Sequence, residues 1–260
     1  MNGGSKRSSA PAPERKAAGR GGKTVRRKRI GRSLAALLLV LAAGFLLYAA
    51  VYYRADQTAL DALRPDGTVQ ISRTDYGWFF DGPSEERALI FYPGGKVEET
   101  AYAPLLRLLA EQGMDVCLVK MPLHLAVLAP DRAELALAEH DYESWYIGGH
   151  SLGGVIAASY ASGHPEAFRG VVLLAAYPIR PLDPRLQVLS IYGSEDGVLD
   201  RTKLAEGMQY LPEEARVLEL PGGNHAQFGS YGPQRGDGEA LIRPEEQWAE
   251  TAALLREALG

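Results

Sequence analysis

The sequence of 260 residues has little cysteine and no general excess of apolar residues. Its single cysteine, Cys117, excludes an intramolecular disulfide framework and a cysteine-based zinc site. Hydrophobic residues make up 46% and charged residues 23%, which excludes a wholly disordered chain and a multi-span membrane protein. Because Cys117 lies within an apolar run, we expect a small buried thiol rather than a reactive one.

Acidic residues are nearly absent from one end of the chain. Residues 1–32 hold 11 Lys or Arg and a single acid, whereas the remaining 228 residues hold 17 basic and 31 acidic residues. Nucleic acid is therefore not an expected partner of residues 33–260, because phosphate backbones are bound through basic surfaces and this part of the chain is acidic. Residues 1–32 also lack aromatic residues and nearly all large aliphatic ones, which predicts a disordered basic tail.

One long apolar run follows this tail. Residues 33–53 carry no charge and lie between Arg32 and Arg54. As a helix these 21 residues span roughly 30 Å, about the thickness of the hydrocarbon core of a bilayer. We therefore predict an uncleaved transmembrane helix, with a cleaved signal peptide or a buried core helix as the alternatives. Residues 54–65 are interpreted as a short stem.

The charges that flank this run predict its orientation. Nine Lys or Arg lie in the 20 residues before it, and only Arg54, Arg64 and Arg73 lie in a similar stretch after it. The positive-inside rule then places the N-terminus in the cytoplasm and the C-terminal domain on the other side of the cell membrane. The basic residues next to the run favour an anionic lipid surface as their partner.

From about residue 66 onward, short apolar strands alternate with helical stretches. Such a pattern predicts an α/β fold, with a mostly parallel central sheet and helices on both of its faces. The connection over residues 122–144 must supply a crossover helix. The predicted strands are 88–92, 115–119, 145–148, 171–175, 188–192 and 216–220, and the predicted helices are 98–112, 152–162, 201–210 and 244–259.

A G-x-S-x-G motif, Gly149-His-Ser-Leu-Gly153, joins a predicted strand to a predicted helix. The bare pentapeptide has little specificity, but the strand–turn–helix setting is that of a nucleophile elbow. Glycines two residues before and after Ser151 remove side chains that would clash in so tight a turn. Ser151 is therefore the candidate nucleophile, with its hydroxyl exposed at the carboxyl end of the sheet.

A serine nucleophile needs a base and an acid that orients the base. In this arrangement the chain order is serine, acid, histidine. Only His225 lies far enough after the serine, beyond the strand that ends at Leu220. His124, His140 and His150 precede Ser151, His164 follows it too closely, and His150 is interpreted as structural. Asp196 is the candidate acid, with Glu195 and Asp200 as its rivals.

The oxyanion hole of such a site needs two backbone N–H groups. One is expected from Leu152, the residue after the nucleophile. The other is expected from the loop Pro93-Gly-Gly-Lys96, where Gly95 is preferred and Lys96 is the alternative. Two glycines in this loop allow the backbone to approach a substrate closely.

Residues 66–258 resemble the alpha/beta hydrolase fold-5 family, which is similar to dienelactone hydrolases and small esterases. The resemblance rests on FYPGGKVEETAYAPLLRLLAEQG, DVCLVKMPLHLAVL, IGGHSLGG, YGSEDG and GGNHAQFGSYG. It implies a hydrolase domain over residues 66–260, with Ser151, Asp196 and His225 as the triad and with no metal or organic cofactor. The sequence departs from the family at Pro93-Gly94-Gly95, where lipases commonly have a His-Gly pair.

The resemblance implies a serine hydrolase that cleaves small ester-type substrates through an acyl-enzyme. An acyltransferase or a thioesterase would use the same residues, and a binding protein on a hydrolase scaffold is the alternative without catalysis. The proline-rich connection between the strands near Ala176 and Val188 is too short for a large cap, so short acyl groups are expected. No feature of the sequence calls for an obligate protein partner.

Overall fold

The computed structural model describes Met1 and residues 21–65, 67–83 and 86–259, with side chains from Leu34 onward apart from Ala35. The chain divides into two units, residues 1–48 and residues 49–260. In the first unit, residues 2–20 of the predicted basic tail lie outside the described residues. Residues 21–32, for which disorder was expected, belong instead to helix α1, Gly21–Ala50. Lys and Arg are good helix formers, so a helix propagates readily through this basic stretch.

The helix within the apolar run at residues 33–53 ends earlier than predicted. Helix α1 ends at Ala50, and Tyr53 already takes part in a β-bridge with Val97. Across the part of the chain that is described, no helix has both the length and the mean hydropathy that a membrane span needs. The structure therefore does not show the transmembrane helix.

The second unit contains a sheet of eight strands in the order β1-β2-β4-β3-β5-β6-β7-β8. Strands β4, β3, β5, β6, β7 and β8 are parallel to one another, whereas β2 pairs antiparallel with both β1 and β4. This is the mostly parallel α/β sheet that the sequence predicts. The strand bounds are β1 Gln70–Arg73, β2 Gly77–Asp81, β3 Arg87–Tyr92, β4 Asp115–Val119, β5 Ser144–His150, β6 Gly170–Leu174, β7 Gln187–Gly193 and β8 Arg216–Leu220.

Helices cover both faces of this sheet. Their bounds are α2 Gln57–Asp61, α3 Ala103–Glu111, α4 Ala133–Glu139, α5 Leu152–Gly163, α6 Arg201–Gly207 and α7 Pro244–Leu259. Helices α3 and α7 pack on one face, and α4 and α5 pack on the other. Side chains of β3 alternate between the two cores, with Leu89 and Phe91 in one and Ile90 and Tyr92 in the other. The carboxyl ends of the parallel strands consequently meet at one edge, where the loops after β3, β5, β7 and β8 converge.

Two connections agree with the sequence analysis. The segment between β4 and β5 supplies the crossover helix, α4. The segment between β6 and β7, residues 175–186, is described throughout and contains no helix. No cap domain is therefore built from it, in agreement with the prolines at 178, 181 and 184.

The predicted stem, residues 54–65, belongs to the folded unit rather than to a linker. The N–H of Tyr53 donates to Lys96 O at 2.7 Å, and the N–H of Glu98 donates to Tyr53 O at 2.8 Å. Asp56 caps α2 by accepting from the N–H of Ala59, and its carboxylate also accepts from the hydroxyl of Ser230 at 2.7 Å. The segment is thus fixed to the loop after β3 and to the loop after β8.

Candidate active site

Ser151 occupies a strained turn between β5 and α5. Its backbone has φ 52° and ψ −126°, a region that residues with a side chain rarely adopt. A Cβ on Gly149 would overlap the carbonyl oxygen of Tyr92, and a Cβ on Gly153 would overlap those of Tyr92 and Pro93. The glycines of the motif therefore allow β3, the turn and the helix to approach backbone to backbone. This is the geometry that the motif predicts for a nucleophile elbow.

Asp196 and His225 form a buried pair at the ends of β7 and β8. Asp196 Oδ2 lies 2.9 Å from His225 Nδ1, and the two residues are 7% and 1% exposed. The other carboxylate oxygen, Oδ1, accepts from the N–H groups of Val198 at 2.9 Å and Leu199 at 2.8 Å. These two backbone donors hold the carboxylate in place, and its Oδ2 atom is then set to accept a hydrogen bond from the Nδ1–H group of the imidazole.

The rival acids are engaged elsewhere. The carboxylate of Glu195 accepts from the hydroxyl of Ser194 at 2.9 Å. Asp200 caps helix α6 by accepting from the N–H groups of Thr202 and Lys203. Among the described residues, only Asp196 of these three candidates is hydrogen-bonded to a histidine.

Ser151 and His225 line the same cavity, which has a volume of about 570 Å³. Its wall is mainly apolar and includes Leu152, Val155, Tyr177, Ile179 and Leu199. With Nδ1 held by Asp196, the Nε2 atom of His225 is the nitrogen left to act on a neighbouring hydroxyl. That atom is buried and has no hydrogen-bond partner among the described residues. The structure thus brings the candidate nucleophile and the candidate base to one cavity wall.

Backbone N–H groups near the serine can be assigned one by one. Within the loop after β3, Gly94 N–H donates to the hydroxyl of Tyr102 at 2.9 Å and Lys96 N–H donates to His124 O at 2.8 Å. No partner is found for Gly95 N–H in the described structure, and Leu152 N–H lies in the first turn of α5, where helix donors have no intrahelical acceptor. A Cβ on Gly95 would lie 2.9 Å from Leu152 Cδ2. Gly95 and the side chain of Leu152 are therefore in close contact.

His150 lies in the core, not in the cavity wall. It is 1% exposed, and its ring centroid lies 4.4 Å from that of His225. Burial, together with the neighbouring His225, holds the pKa of His150 well below its ordinary value, so its imidazole is neutral. Its Nδ1 atom lies 2.8 Å from the hydroxyl of Tyr102, a residue that the sequence analysis did not single out. No local sequence signal indicates Tyr102, because its partner is 48 residues away.

The other three histidines have structural surroundings. His124 stacks on Tyr52 with ring centroids 4.0 Å apart, and His140 Nε2 lies 2.9 Å from the hydroxyl of Tyr76. His164 Nδ1 lies 3.0 Å from the carbonyl oxygen of Tyr160 at the end of α5. Among the described residues, no group of three or more His, Cys, Asp or Glu is arranged to hold a metal ion. Burial raises the pKa of the Cys117 thiol to about 12, in agreement with an inert thiol.

The chain belongs to the alpha/beta hydrolase family. The family model matches residues 88–249, which is more than half of the chain and includes the nucleophile elbow, Asp196 and His225. No curated protein matches the sequence.

Solved structures of several esterases and hydrolases share this fold. Carboxyl esterase 2 from Tuber melanosporum is 12% identical over 80% of this chain and 91% of its own, with a TM-score of 0.56. Dienelactone hydrolase from Anabaena variabilis is 15% identical over 74% and 97%, with a TM-score of 0.54. Naproxen esterase from Bacillus subtilis is 10% identical over 78% and 95%, with a TM-score of 0.53. At these identities the similarity shows the fold.

Proposed function

We propose that the protein is a serine hydrolase that cleaves small carboxylic esters through an acyl-enzyme, with Ser151, His225 and Asp196 as its triad. The observation that carries this proposal is the buried Asp196–His225 pair, 2.9 Å apart, on the wall of the cavity that Ser151 also lines. A strained serine, an imidazole and an orienting carboxylate are the three groups that acyl transfer requires.

In the proposed reaction His225 Nε2 accepts the proton of the Ser151 hydroxyl as Oγ attacks the ester carbonyl. The negative charge of the tetrahedral intermediate is bound by the N–H groups of Leu152 and Gly95. Its collapse expels the alcohol, which takes the proton from His225 and leaves Ser151 acylated. Water then gives a proton to His225, attacks the acyl group and releases the acid, and His225 returns the proton to Ser151.

Asp196 has two roles in this scheme. Its Oδ2 atom accepts from Nδ1 of His225, so the lone pair of the imidazole is at Nε2, where the serine needs it. Its charge also stabilises the imidazolium that forms when the serine proton is taken up. The backbone bonds from Val198 and Leu199 keep the carboxylate in place for both roles.

The proposal is tested with a fluorophosphonate probe and short nitrophenyl esters. The wild-type protein is expected to react once at Ser151 and to hydrolyse the ester, whereas Ser151→Ala keeps the fold and loses on the order of 10⁶ in kcat. Ser159→Ala is the control, because Ser159 lies in the same helix and donates to Val155 O. Near-normal hydrolysis by Ser151→Ala would refute the mechanism. A folded wild-type protein that never reacts would indicate a binding protein, and preferential transfer to added alcohol would indicate an acyltransferase.

We propose acyl groups of about two to six carbons as the preferred substrates. The cavity is open at Ile179, which is 51% exposed, and no helix of the β6–β7 connection covers it. A long chain would therefore leave most of its methylene groups in water and would gain little of the ~0.8 kcal/mol that each buried CH₂ contributes. A series of esters from C2 to C16 tests this proposal. A kcat/KM that keeps rising to C16 would contradict it and indicate a lipid-binding groove.

We also propose that the part of the 33–53 run that lies in helix α1 anchors the protein in the cell membrane, with the hydrolase domain on the extracytoplasmic side. The support comes from the sequence, in which 21 uncharged residues follow a strongly basic segment. Protease added to intact cells is expected to digest the hydrolase domain. Digestion only after lysis would reverse the topology, and recovery of the intact chain without detergent would contradict the anchor.

A further inference from the structure

The loop between β8 and α7 contains a carboxylate, Asp237, that the triad does not include. Asp237 lies between Gly236 and Gly238, and its side chain is partly buried. Gly236 has φ 89°, in the left-handed region that favours glycine, so it can turn the chain sharply just before the aspartate. The sequence alone does not single out Asp237.

Four backbone N–H groups donate to this one carboxylate. Asp237 Oδ1 accepts from Gly197 at 3.1 Å, from His225 at 3.2 Å and from Gly238 at 2.9 Å. Asp237 Oδ2 accepts from Ala226 at 2.8 Å. Hydrogen bonds to an ionised acceptor are stronger than those between neutral groups, so the carboxylate links these segments firmly.

The linked segments carry the two members of the buried pair. Gly197 directly follows Asp196 in the loop after β7, and His225 with Ala226 lies in the loop after β8. We call the loop after β7 the acid loop and the loop after β8 the histidine loop. Asp237 therefore binds the backbone of both loops through one carboxylate. The Asp196–His225 bond joins the same two loops through their side chains.

Glycines let the three segments approach closely enough for this linkage. A Cβ on Gly238 would overlap the carbonyl oxygen of Glu195. A Cβ on Gly197 would lie 2.6 Å from Gly236 O and 2.9 Å from Gly238 N. The contacts are backbone to backbone, so a small movement of the 236–238 loop is transmitted directly to the acid loop.

We propose that Asp237 is a positioning residue that sets the separation and orientation of Asp196 and His225. A displacement of about 1 Å at a reacting group can lower a rate about 10²-fold. An amide at position 237 retains one acceptor oxygen but places an NH₂ group against backbone donors. It therefore cannot hold both loops in the same way. The inference rests on the proposed function, because it concerns the geometry of that triad.

The test compares full-length Asp237→Asn with the wild type and with Asp183→Asn. Asp183 is the matched control, since its carboxylate also accepts a backbone N–H, that of Arg185, and among the described residues it is bonded to neither Asp196 nor His225. For Asp237→Asn we expect kcat on a short ester and the rate of fluorophosphonate labelling to fall at least tenfold, with KM changed less than threefold. The low-field NMR signal of the proton between His225 Nδ1 and Asp196 should shift or broaden. Asp183→Asn should leave all four readouts unchanged.

The outcomes separate this inference from the proposed function. A folded Asp237→Asn protein with wild-type kcat, labelling rate and NMR signal overturns the inference. If the wild type neither labels nor hydrolyses, the proposed function fails, and the NMR signal alone decides whether Asp237 sets the pair. If Asp237→Asn does not fold, Asp237→Glu keeps the charge but moves it by one CH₂. The inference then requires a lower kcat in the folded Asp237→Glu protein, and an unchanged kcat overturns it.

Discussion

The hydroxyl of Tyr102 lies 2.8 Å from Nδ1 of His150, beneath the nucleophile elbow. The same hydroxyl accepts from the N–H of Gly94 at 2.9 Å, so its own proton is free to be donated to Nδ1. The neutral imidazole of His150 then carries its proton at Nε2. One phenol thereby connects the loop that supplies Gly95 to the residue that precedes Ser151.

Tyr102→Phe is expected to weaken both the fold and the site. The substitution removes the partner of Gly94 N–H and of His150 Nδ1, and each buried group left unsatisfied costs about 1–3 kcal/mol. We expect the free energy of unfolding, measured with urea, to fall by about 2 kcal/mol or more, and kcat to fall as well. Tyr146→Phe is the control, because its hydroxyl bonds are longer, 3.2 and 3.3 Å, and lie at the opposite edge of the sheet. If the free energy of unfolding and kcat fell by the same small amount in both variants, the Tyr102 hydroxyl would not be stabilising the site.

Gly95→Ala is expected to lower kcat, and a second substitution is expected to restore it. The new Cβ would lie 2.9 Å from Leu152 Cδ2, so Leu152 and its loop must shift. Displacement of an oxyanion donor should reduce kcat about tenfold or more. Leu152→Ala removes the clashing side chain but keeps the N–H, so the double variant should recover most of the activity. A double variant as slow as Gly95→Ala would contradict this steric explanation.

The stability of the protein is expected to fall in mild acid. Burial lowers the pKa of His150 most strongly, and it also lowers those of His124 and His140. In the unfolded chain these histidines take up protons near pH 6.5. Below that pH the unfolded state binds more protons than the folded state, so the free energy of unfolding decreases as the pH falls. Above about pH 6.5 these groups contribute no pH dependence.

Urea unfolding between pH 8 and pH 5 measures this effect. His150→Gln should make the acid-side slope shallower by up to about 1.4 kcal/mol per pH unit, the contribution of one proton. His164→Gln, at an exposed position, serves as the control for a histidine substitution outside the core. Parallel curves for the wild type and His150→Gln would show that His150 is not the group responsible.

The N-terminal boundary of a stable hydrolase domain is expected to lie before Tyr53. A chain that begins at Ala49 keeps the bonds from Tyr53 to Lys96 and Glu98, whereas one that begins at Ala55 loses them. Lys96 has φ 61°, and the surrounding hydrogen bonds must hold it in that conformation. We therefore expect the shorter chain to have a lower melting temperature and a lower kcat. Full-length Tyr53→Phe loses only the bond between the Tyr53 hydroxyl and Arg235 N–H. Its melting temperature and kcat should therefore fall less than those of the chain that begins at Ala55. Equal stability and activity of the two truncated chains would contradict the assigned boundary.

Apolar strands and the last helix were predictable because their signals are local. The apolar runs 115–119 and 216–220 coincide with β4 and β8, and residues 244–259 coincide with α7. The antiparallel pair β1 and β2 was missed. Gln70–Arg73 is mostly exposed, and Gly77–Asp81 is a short segment whose pairing with β4 depends on residues almost 40 positions away. β1 is an edge strand whose residues are mostly exposed, so its pattern of apolar residues is too weak to be recognised.

The difference between local signals and long-range contacts also explains which residues of the site could be predicted. The motif around Ser151 and the chain order of the acid and histidine identify three residues, which the structure gathers at one edge of the sheet. Tyr102 and Asp237 could not be identified, because their importance depends on contacts made only after several strand ends meet. Tyr53 was placed in the transmembrane helix and Asp56 in the stem for the same reason, since the partners of both lie in distant loops.

The glycine contacts around Asp237 also bear on how such an enzyme could acquire new substrates. Positions 197 and 238 tolerate no side chain without movement of the main chain, so a random library at these sites would yield mostly inactive clones. The cavity wall over residues 177–179 and 198–210 is built largely from side chains of a loop and of α6. Substitutions there can reshape the space around a substrate without moving Ser151, His225 or Asp196. Directed evolution of specificity should therefore begin in α6 and leave the glycines unchanged.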